Sequence, residues 1–579
     1  MAEQNAGVPS RPPIVVPSLS DVAMNKGTNG AASVLITPAP MPKKKTAPPP
    51  ESKDSFREIV ETVVFVVVLV LLLKAFVAEA FVIPTGSMAE TLWGYQKLVT
   101  CPKCGEQFPV NCSCEVDPQQ QPPSQVVGCI CPNCEYVINF RNENMNPGWN
   151  SGDRVLVGKF FYDLPGLGFD MPQRYQVVVF KFPREPQHDY VSMNYIKRGV
   201  GLQRETIAIH YGKLYAFEGL NYDDEDRSIP KEDLWKFTHK NDPAASELFH
   251  QGKFHILRKP PKTVLAERRL VFDNDHQPKD LVGKVPPRWQ ARKGWEPDNT
   301  DKPLRFKHAS GADTQLSWLR YQHLRRDPQP SGLARLELIT DFMGYNNFEE
   351  ETHTRRVPAQ NWVGDLLLEC DVDVAEAKGE LVLELSKGVD RFHARWDLAS
   401  GMCTLERLGA GRGEEKLEAK DTPLKKPGKY RLRFANVDNR LLVWVDNSLP
   451  FGDGVVYEAP NQLGPTKEND LEPASIGVRG GAVTVSGLKL WRDTYYTTTV
   501  DQNGPDCGRP VDLGNPAEWE PLQTLPVASF YVQPGHILCM GDNSPESSDG
   551  RTWGLVPRRL LLGRALMVYW PYNRAGRIE

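Results

Sequence analysis

"FVIPTGSMAETLWG", Phe81 to Gly94, decides how the rest of the chain is read. It begins where a long apolar run ends and sets Ser87 between Gly86 and Met88, with no histidine downstream before His188. A serine hydroxyl is a weak nucleophile unless a neighbouring base removes its proton. Either Ser87 is a structural turn residue, or its base is delivered by a distant part of the chain.

Immediately upstream, "IVETVVFVVVLVLLLKAFV" from Ile59 to Val77 carries charge only near its ends, at Glu61 and Lys74. Its length is close to the roughly twenty apolar residues that span hydrocarbon, so we read residues 56–80 as a single transmembrane anchor. The alternatives are a cleaved signal peptide, which would start nearer the N-terminus, and a buried core helix. Residues 1–55, rich in Pro, Ala and Ser and lacking apolar periodicity, read as a disordered tail. Lys43, Lys44, Lys45, Lys53 and Arg57 precede the span, which by the positive-inside tendency makes the tail cytoplasmic and everything after Val77 extracytoplasmic.

The whole chain has 579 residues, enough for several domains, and its 69 basic and 73 acidic side chains leave a net charge of -4. That balance gives no electrostatic basis for a nucleic-acid partner. Four composition shifts divide the part beyond the anchor. Residues 98–148 hold seven of the eleven cysteines, and residues 149–215 read as short strands such as "RVLVGKF" and "QVVVFKF". Residues 216–333 are rich in Trp, Pro and charge, with little periodicity. From 334 to 495 period-two alternation returns: Leu366, Leu368, Cys370, Val372 and Val374 share a face, as do Leu381, Leu383 and Leu385, and Phe392, Ala394, Trp396 and Leu398. "YRLRFANVDNRLLVWVDN" reads as a hairpin turning at Asp438 and Asn439. Such a run predicts an antiparallel β-sandwich similar to the laminin-G or concanavalin-like sandwiches.

Among possible bases, Lys197 in "MNYIKRGVGLQRETI" lies in an apolar, strand-like setting. Burial disfavours the ammonium form and lowers a lysine pKa, so a neutral amine could accept the serine proton. Five blocks then occur in order: "FVIPTGSMAETL" after the anchor, "GDRVLVGKF", "RYQVVVFKFP", "YIKRGVGLQRETI" and "GHILCMGDNSPESSDGRTWGLVP", followed by "GRALMVYWPYNR". With these the chain resembles the type I signal peptidases, membrane-anchored Ser-Lys endopeptidases that remove signal peptides from exported proteins.

The resemblance implies Ser87 as nucleophile, Lys197 as general base, Thr85 as an oxyanion donor beside the Ser87 N–H, and Ser547 as the hydroxyl that orients the lysine. Arg198, Asp542, Asp549 and Arg551 match charged positions that brace the surrounding strands, although a surface ion-pair set would look the same in sequence. Gly541 is expected in a tight turn, and Phe81, Val82, Ile83 and Pro84 as walls of the substrate groove. The chain departs from the usual pattern at Ala89, at "GLQRE" and at Ser544–Pro545, which bears on loop geometry and substrate preference. The implied fold is mainly β. A catalytic β-domain in three parts, 81–97, 149–215 and 496–579, is interrupted by the Cys-rich insert and the sandwich.

"CPKC" (Cys101, Cys104) and "CPNC" (Cys131, Cys134) have the spacing of paired zinc knuckles, whereas an extracytoplasmic location and the further thiols Cys112, Cys114 and Cys129 favour disulfides. A structural zinc and a disulfide knot therefore both remain open, and the Ser-Lys chemistry itself calls for no cofactor. Either way the insert reads as a staple separate from the proteolytic site. Expected partners are preprotein signal peptides and the lipid bilayer, here the inner cell membrane, with a glycan or an envelope protein for the sandwich. A silenced envelope-anchored binding protein, or a protease specialised for a few surface proteins, are the competing readings.

Overall fold

The computed structural model describes residues 55–117, 123–160, 162, 171–183, 190–222, 239–298, 304–311, 315–326, 333–351, 354–355, 360–409, 413–499 and 504–579. The expected disordered tail falls outside them. Described from Ser55 onward, the N-terminal unit, Met1–Phe65, contains the first turns of an apolar helix in which Arg57 pairs with Glu61 at 2.7 Å. The helical segment Phe56–Val77 is long and apolar enough to cross a membrane, and none of it is buried in protein.

The second unit, Val66–Glu579, is built almost wholly from antiparallel sheets. The helix ends in a π-helical turn, Leu73–Val77, and runs directly into a strand, Ala78–Val82. That strand lies at the edge of an eight-stranded sheet, next to Arg154–Gly158 and followed in order by Leu561–Trp570, Val177–Pro183, Tyr190–Gly201, His536–Met540 and Val556–Pro557. Segments far apart in sequence therefore alternate across one sheet, and the fold closes only when the C-terminal block has returned. A separate four-stranded sheet is formed, in order, by His255–Ile256, Lys213–Phe217, Thr206–His210 and Ala528–Tyr531.

Two further sheets, of eight and seven strands, pack face to face around one apolar core that includes Leu366, Leu368, Leu383, Phe392, Trp396 and Phe434. The long strands alternate as the sequence predicts because each has one face in this core. At the hairpin, Asp438 and Asn439 take φ of 55° and 52°, the left-handed pair that a two-residue turn matched to strand twist requires.

The sandwich begins earlier than expected. Arg269–Asp273, Trp289–Ala291, Trp295–Asp298, Arg305–His308 and Ser317–Tyr321, all in the stretch read as irregular, belong to its sheets. Each is three to five residues long and sends one or two side chains inward, such as Phe272, Trp289, Trp295 and Phe306. So few inward positions leave no periodicity to detect. Conversely, Phe348–Glu350 leaves the sandwich and pairs with Val126–Ile130 of the Cys-rich segment, where Phe348 joins the cysteine core.

Leu383, fully buried between the sheets, tests this core. Leu383→Ala should lower unfolding free energy by about 2–5 kcal/mol, read as a lowered denaturant midpoint of the sandwich.

Candidate active site

From the edge strand the chain turns at Ile83, whose N–H donates to Asp153 O at 2.9 Å, into a tight loop over residues 84–95. Leu92 N–H donates to Met88 O at 2.8 Å and Tyr95 N–H to Pro84 O at 3.2 Å, so the loop closes on itself. Two glycines permit the close approach: a methyl at 94 would lie 2.5 Å from the Thr85 carbonyl carbon, and one at 152 would lie 1.8 Å from Ile83 O. Arg574 clamps the far side. Its guanidinium lies 3.5 Å from the Trp93 ring centroid, donates to Asp153 Oδ2 at 2.9 Å and to Thr91 O at 3.1 Å.

Lys197 comes from the strand Tyr190–Gly201, held between Val177–Pro183 and His536–Met540. Its Nζ lies 2.5 Å from Ser87 Oγ, although 110 residues separate the two in sequence. The amine is buried and makes no ion pair among the described residues. Burial lowers its pKa to about 8, with Asp549, Cys539 and Asp542 acting in the opposite direction.

Both aspartates are already engaged. Arg198, on the next position of the strand, donates from Nε and Nη2 to the two oxygens of Asp542 at 2.8 and 2.7 Å, and lies 2.9 Å from Glu267. Burial opposes the charge on Asp542, but Arg198 outweighs it and holds the carboxyl below its usual range. Asp549 accepts from Arg551 Nε and Nη2 at 2.9 and 2.8 Å and from Gly541 N–H at 3.0 Å. Arg198, Asp542, Asp549 and Arg551 are all buried, so the surface ion-pair alternative is overturned.

Thr85 is half-buried, and neither its hydroxyl nor the Ser87 N–H makes a hydrogen bond among the described residues. Two expectations require correction. Ser547 makes no hydrogen bond to Lys197: among the described residues its hydroxyl is buried without a partner, close over Gly541. Gly541, just before the bend at 542–543, is needed for close approach, since a methyl there would fall 2.1 Å from Ser547 Oγ and 2.4 Å from Ser87 O. Ile83 is no groove wall, because it points into the core with Met88, Leu92 and Val155, while Phe81 is half-buried and Val82 and Pro84 are exposed. Alternation along an extended segment turns every second side chain inward.

In the Cys-rich segment Cys101 Sγ lies 3.7 Å from Cys134 Sγ and Cys104 Sγ 3.6 Å from Cys131 Sγ, with all four sulfurs within 4.8 Å of one another. Among the described residues no two cysteines are joined in a disulfide. A tetrahedral ion with metal–sulfur bonds of about 2.3 Å needs sulfurs about 3.8 Å apart, whereas a disulfide needs about 2 Å. The four thiols therefore fit a zinc-type ion.

A family model described as signal peptidase, peptidase S26, matches residues 134–250 and 471–570. Signal peptidase I of Leptolyngbya laminosa is 30% identical over 160 residues, which cover 26% of this chain and 70% of that protein. The chain belongs to the signal peptidase S26 family. A probable signal peptidase I-1 of Synechocystis is 28% identical over 131 residues, covering 22% of this chain and 58% of its own. This signal peptidase homologue is thus a serine endopeptidase by family, and with its apolar helix it is a membrane protein. Among solved structures, a carbohydrate-binding module from Bacillus subtilis superposes on 35% of this chain and 94% of its own, with 9% identity and a TM-score of 0.22.

Sequence reasoning missed Asp153, Arg574, Glu267 and Asn543. The first two and Asn543 lie inside or beside the matched blocks, so the signal was present; Glu267 lies in the insertion, where no motif marks it. Arg198→Ala would leave Asp542 and Glu267 buried and unpaired, and should cost about 3–5 kcal/mol in chemical denaturation.

Proposed function

We propose that this signal peptidase homologue cleaves N-terminal signal peptides from exported precursors with Ser87 as nucleophile and Lys197 as general base. The observation that supports it is the 2.5 Å contact between Ser87 Oγ and a buried amine that has no acid partner among the described residues. Ser87 Oγ attacks the scissile carbonyl while Lys197 Nζ takes its proton. The oxyanion forms between the Ser87 N–H and the Thr85 hydroxyl, donors worth about 3 kcal/mol each where such groups have been measured. Collapse breaks the C–N bond as Lys197 returns the proton to the leaving amine, and water, deprotonated by the same amine, then hydrolyses the acyl-enzyme.

The nucleophile follows the anchor by about ten residues, so it works at the membrane surface, where a signal peptide with its apolar segment in the bilayer would be presented. In this reading the N-terminus is cytoplasmic and the catalytic sheet lies outside the inner membrane. The cleavage segment binds extended, with small residues at the first and third positions before the scissile bond, against Phe81, Val82 and Pro84. Cys101, Cys104, Cys131 and Cys134 hold a structural zinc that fixes the ribbon and takes no part in peptide hydrolysis. For the sandwich a glycan or envelope protein is the proposed partner. On the side of its seven-stranded sheet away from the apolar core, half-buried Trp318, Arg320 and Arg395 lie over the buried Glu384, His393 and Glu406.

With detergent-solubilised protein and a precursor bearing a small-x-small site, Ser87→Ala and Lys197→Ala should each lower kcat/KM by about a thousandfold or more. Equal processing by all three proteins would remove this reading. The working form is the neutral amine, so activity should be lost as pH falls below the lysine pKa and rise to a plateau above it, with a midpoint near about 8 in kcat/KM.

Metal analysis of protein purified without oxidant should find about one zinc per chain, lost in Cys101→Ser/Cys134→Ser together with a drop in melting temperature. Mapped disulfides among these four cysteines would exclude the zinc assignment.

A further inference from the structure

The geometry points to a positioning role for the insertion within the active site: Tyr345 and Asn346, on the 3-10 turn Gly344–Asn346, hold the backbone on both sides of the nucleophile. This inference rests on the Ser87–Lys197 reading and extends it to residues 251–470, between the two segments that match the family.

Asn346 and Asn543 form a reciprocal amide pair. Asn346 Nδ2 donates to Asn543 Oδ1 at 2.7 Å, and Asn543 Nδ2 donates to Asn346 Oδ1 at 2.8 Å. The same Asn543 Nδ2 donates to Gly86 O at 2.9 Å, and the Asn543 N–H donates to Ser87 O at 3.1 Å. Both carbonyls flanking the nucleophile are thus fixed by one asparagine, whose amide plane is set by another from the insertion. Tyr345 completes the hold: its hydroxyl accepts from Gly94 N–H at 3.2 Å, and its ring lies so close to Gly86 that a methyl there would come within 2.4 Å of it. Arg269, also from the insertion, donates from Nη2 to Ala89 O at 3.0 Å and Asp542 O at 3.2 Å. Tyr345, Asn346, Asn543 and Arg269 are all buried, so water cannot substitute for these contacts.

The direction in which the Ser87 N–H and Oγ point depends on the orientation of the peptide units at Gly86 and Ser87. An error of about 1 Å in such a constellation costs on the order of a hundredfold in rate. The turn is itself seated on the Cys-rich ribbon: Ile130 N–H donates to Asn347 O at 3.0 Å, and a methyl at Gly344 would lie 2.9 Å from Pro132, inside the second cysteine knuckle. The ribbon supports the turn, and the turn supports the nucleophile loop.

The test is a double-mutant cycle on the full-length enzyme with Asn346→Ala, Asn543→Ala and both, read as kcat, KM and unfolding midpoint on the small-x-small precursor. A positioning role predicts that Asn346→Ala lowers kcat about 10- to 100-fold with KM within about twofold, and that the double variant is no slower than the slower single one. The burst of Ser87 acylation by p-nitrophenyl acetate, which needs no signal-peptide binding, should slow by a similar factor. Tyr345→Phe removes one acceptor and little volume; it keeps the test open should Asn346→Ala fold poorly, and it should lower kcat severalfold while the unfolding midpoint falls only modestly and the protein stays folded at the assay temperature. Lys420→Ala, on an exposed edge strand of the sandwich, serves as the control and should match wild type. Wild-type kcat in both Asn346→Ala and Tyr345→Phe, or strictly multiplicative effects in the cycle, would overturn the inference while leaving the peptidase reading intact. Wild-type protein without Ser87-dependent turnover would overturn both.

Discussion

A lysine amine without a counter-ion among the described residues, sealed between strands and against a serine hydroxyl, is the constraint around which the rest is arranged. An ammonium in that position would cost several kcal/mol in lost hydration, and a nearby free carboxylate would remove the difficulty by pairing with it. Two carboxylates are near, Asp542 and Asp549, and each is taken by a guanidinium: Asp542 by Arg198 and Asp549 by Arg551. The bidentate geometry matters here, because both oxygens of each acid face an arginine rather than the amine. The buried ion pairs that brace the site therefore also keep Lys197 unpaired, which is the condition for its lowered pKa.

That arrangement draws on the whole length of the chain. The edge strand after the anchor brings Ser87, the fifth strand of the sheet brings Lys197 and Arg198, and the C-terminal block brings Asp542, Asp549 and Arg551. Glu267, the third member of the Arg198 cluster, comes from the insertion. An insertion of this size at a surface loop could be a detachable module, since loop-closure entropy grows only slowly with length. The buried contacts at Glu267, Arg269, Tyr345 and Asn346 argue against that for this chain. Removing the sandwich would leave Arg198 with one acid fewer, the nucleophile loop without its outer wall, and the Cys-rich sheet without the strand Phe348–Glu350.

What could be read from sequence follows the range of the interaction. Long strands with one buried face imprint a period of two, so Leu366–Val374 and Asp390–Asp397 were legible, as was the Asp438–Asn439 turn. The Ser87 and Lys197 assignments came from a set of ordered blocks, and the structure brings those two side chains together. Short strands with a single inward residue, such as Trp289–Ala291, leave no imprint. The contacts of Tyr345 and Asn346 reach across about 200 residues through single side-chain hydrogen bonds and have no local pattern at all. Ile83 was misread for a related reason: sequence shows that a residue is apolar, but only packing shows what it faces.

The Cys-rich ribbon raises an apparent conflict between chemistry and compartment. In the proposed topology the ribbon lies outside the cytoplasm, where thiols are exposed to oxidation, yet four of them stand at a spacing suited to metal binding and longer than a disulfide bond. Burial resolves the conflict in part, because oxidation and disulfide exchange proceed through an accessible thiolate. Cys131 and Cys129 are fully buried and Cys101 and Cys134 nearly so. Burial also pushes the Cys112 thiol up to about 12, which keeps it protonated and unreactive. Closure by the strand Phe348–Glu350, and by the Gly344 turn against Pro132, is what excludes solvent from this core, so the insertion that frames the nucleophile loop also shields the thiols. A ribbon opened by loss of that strand would expose its sulfurs and release the turn that supports the Ser87 loop together.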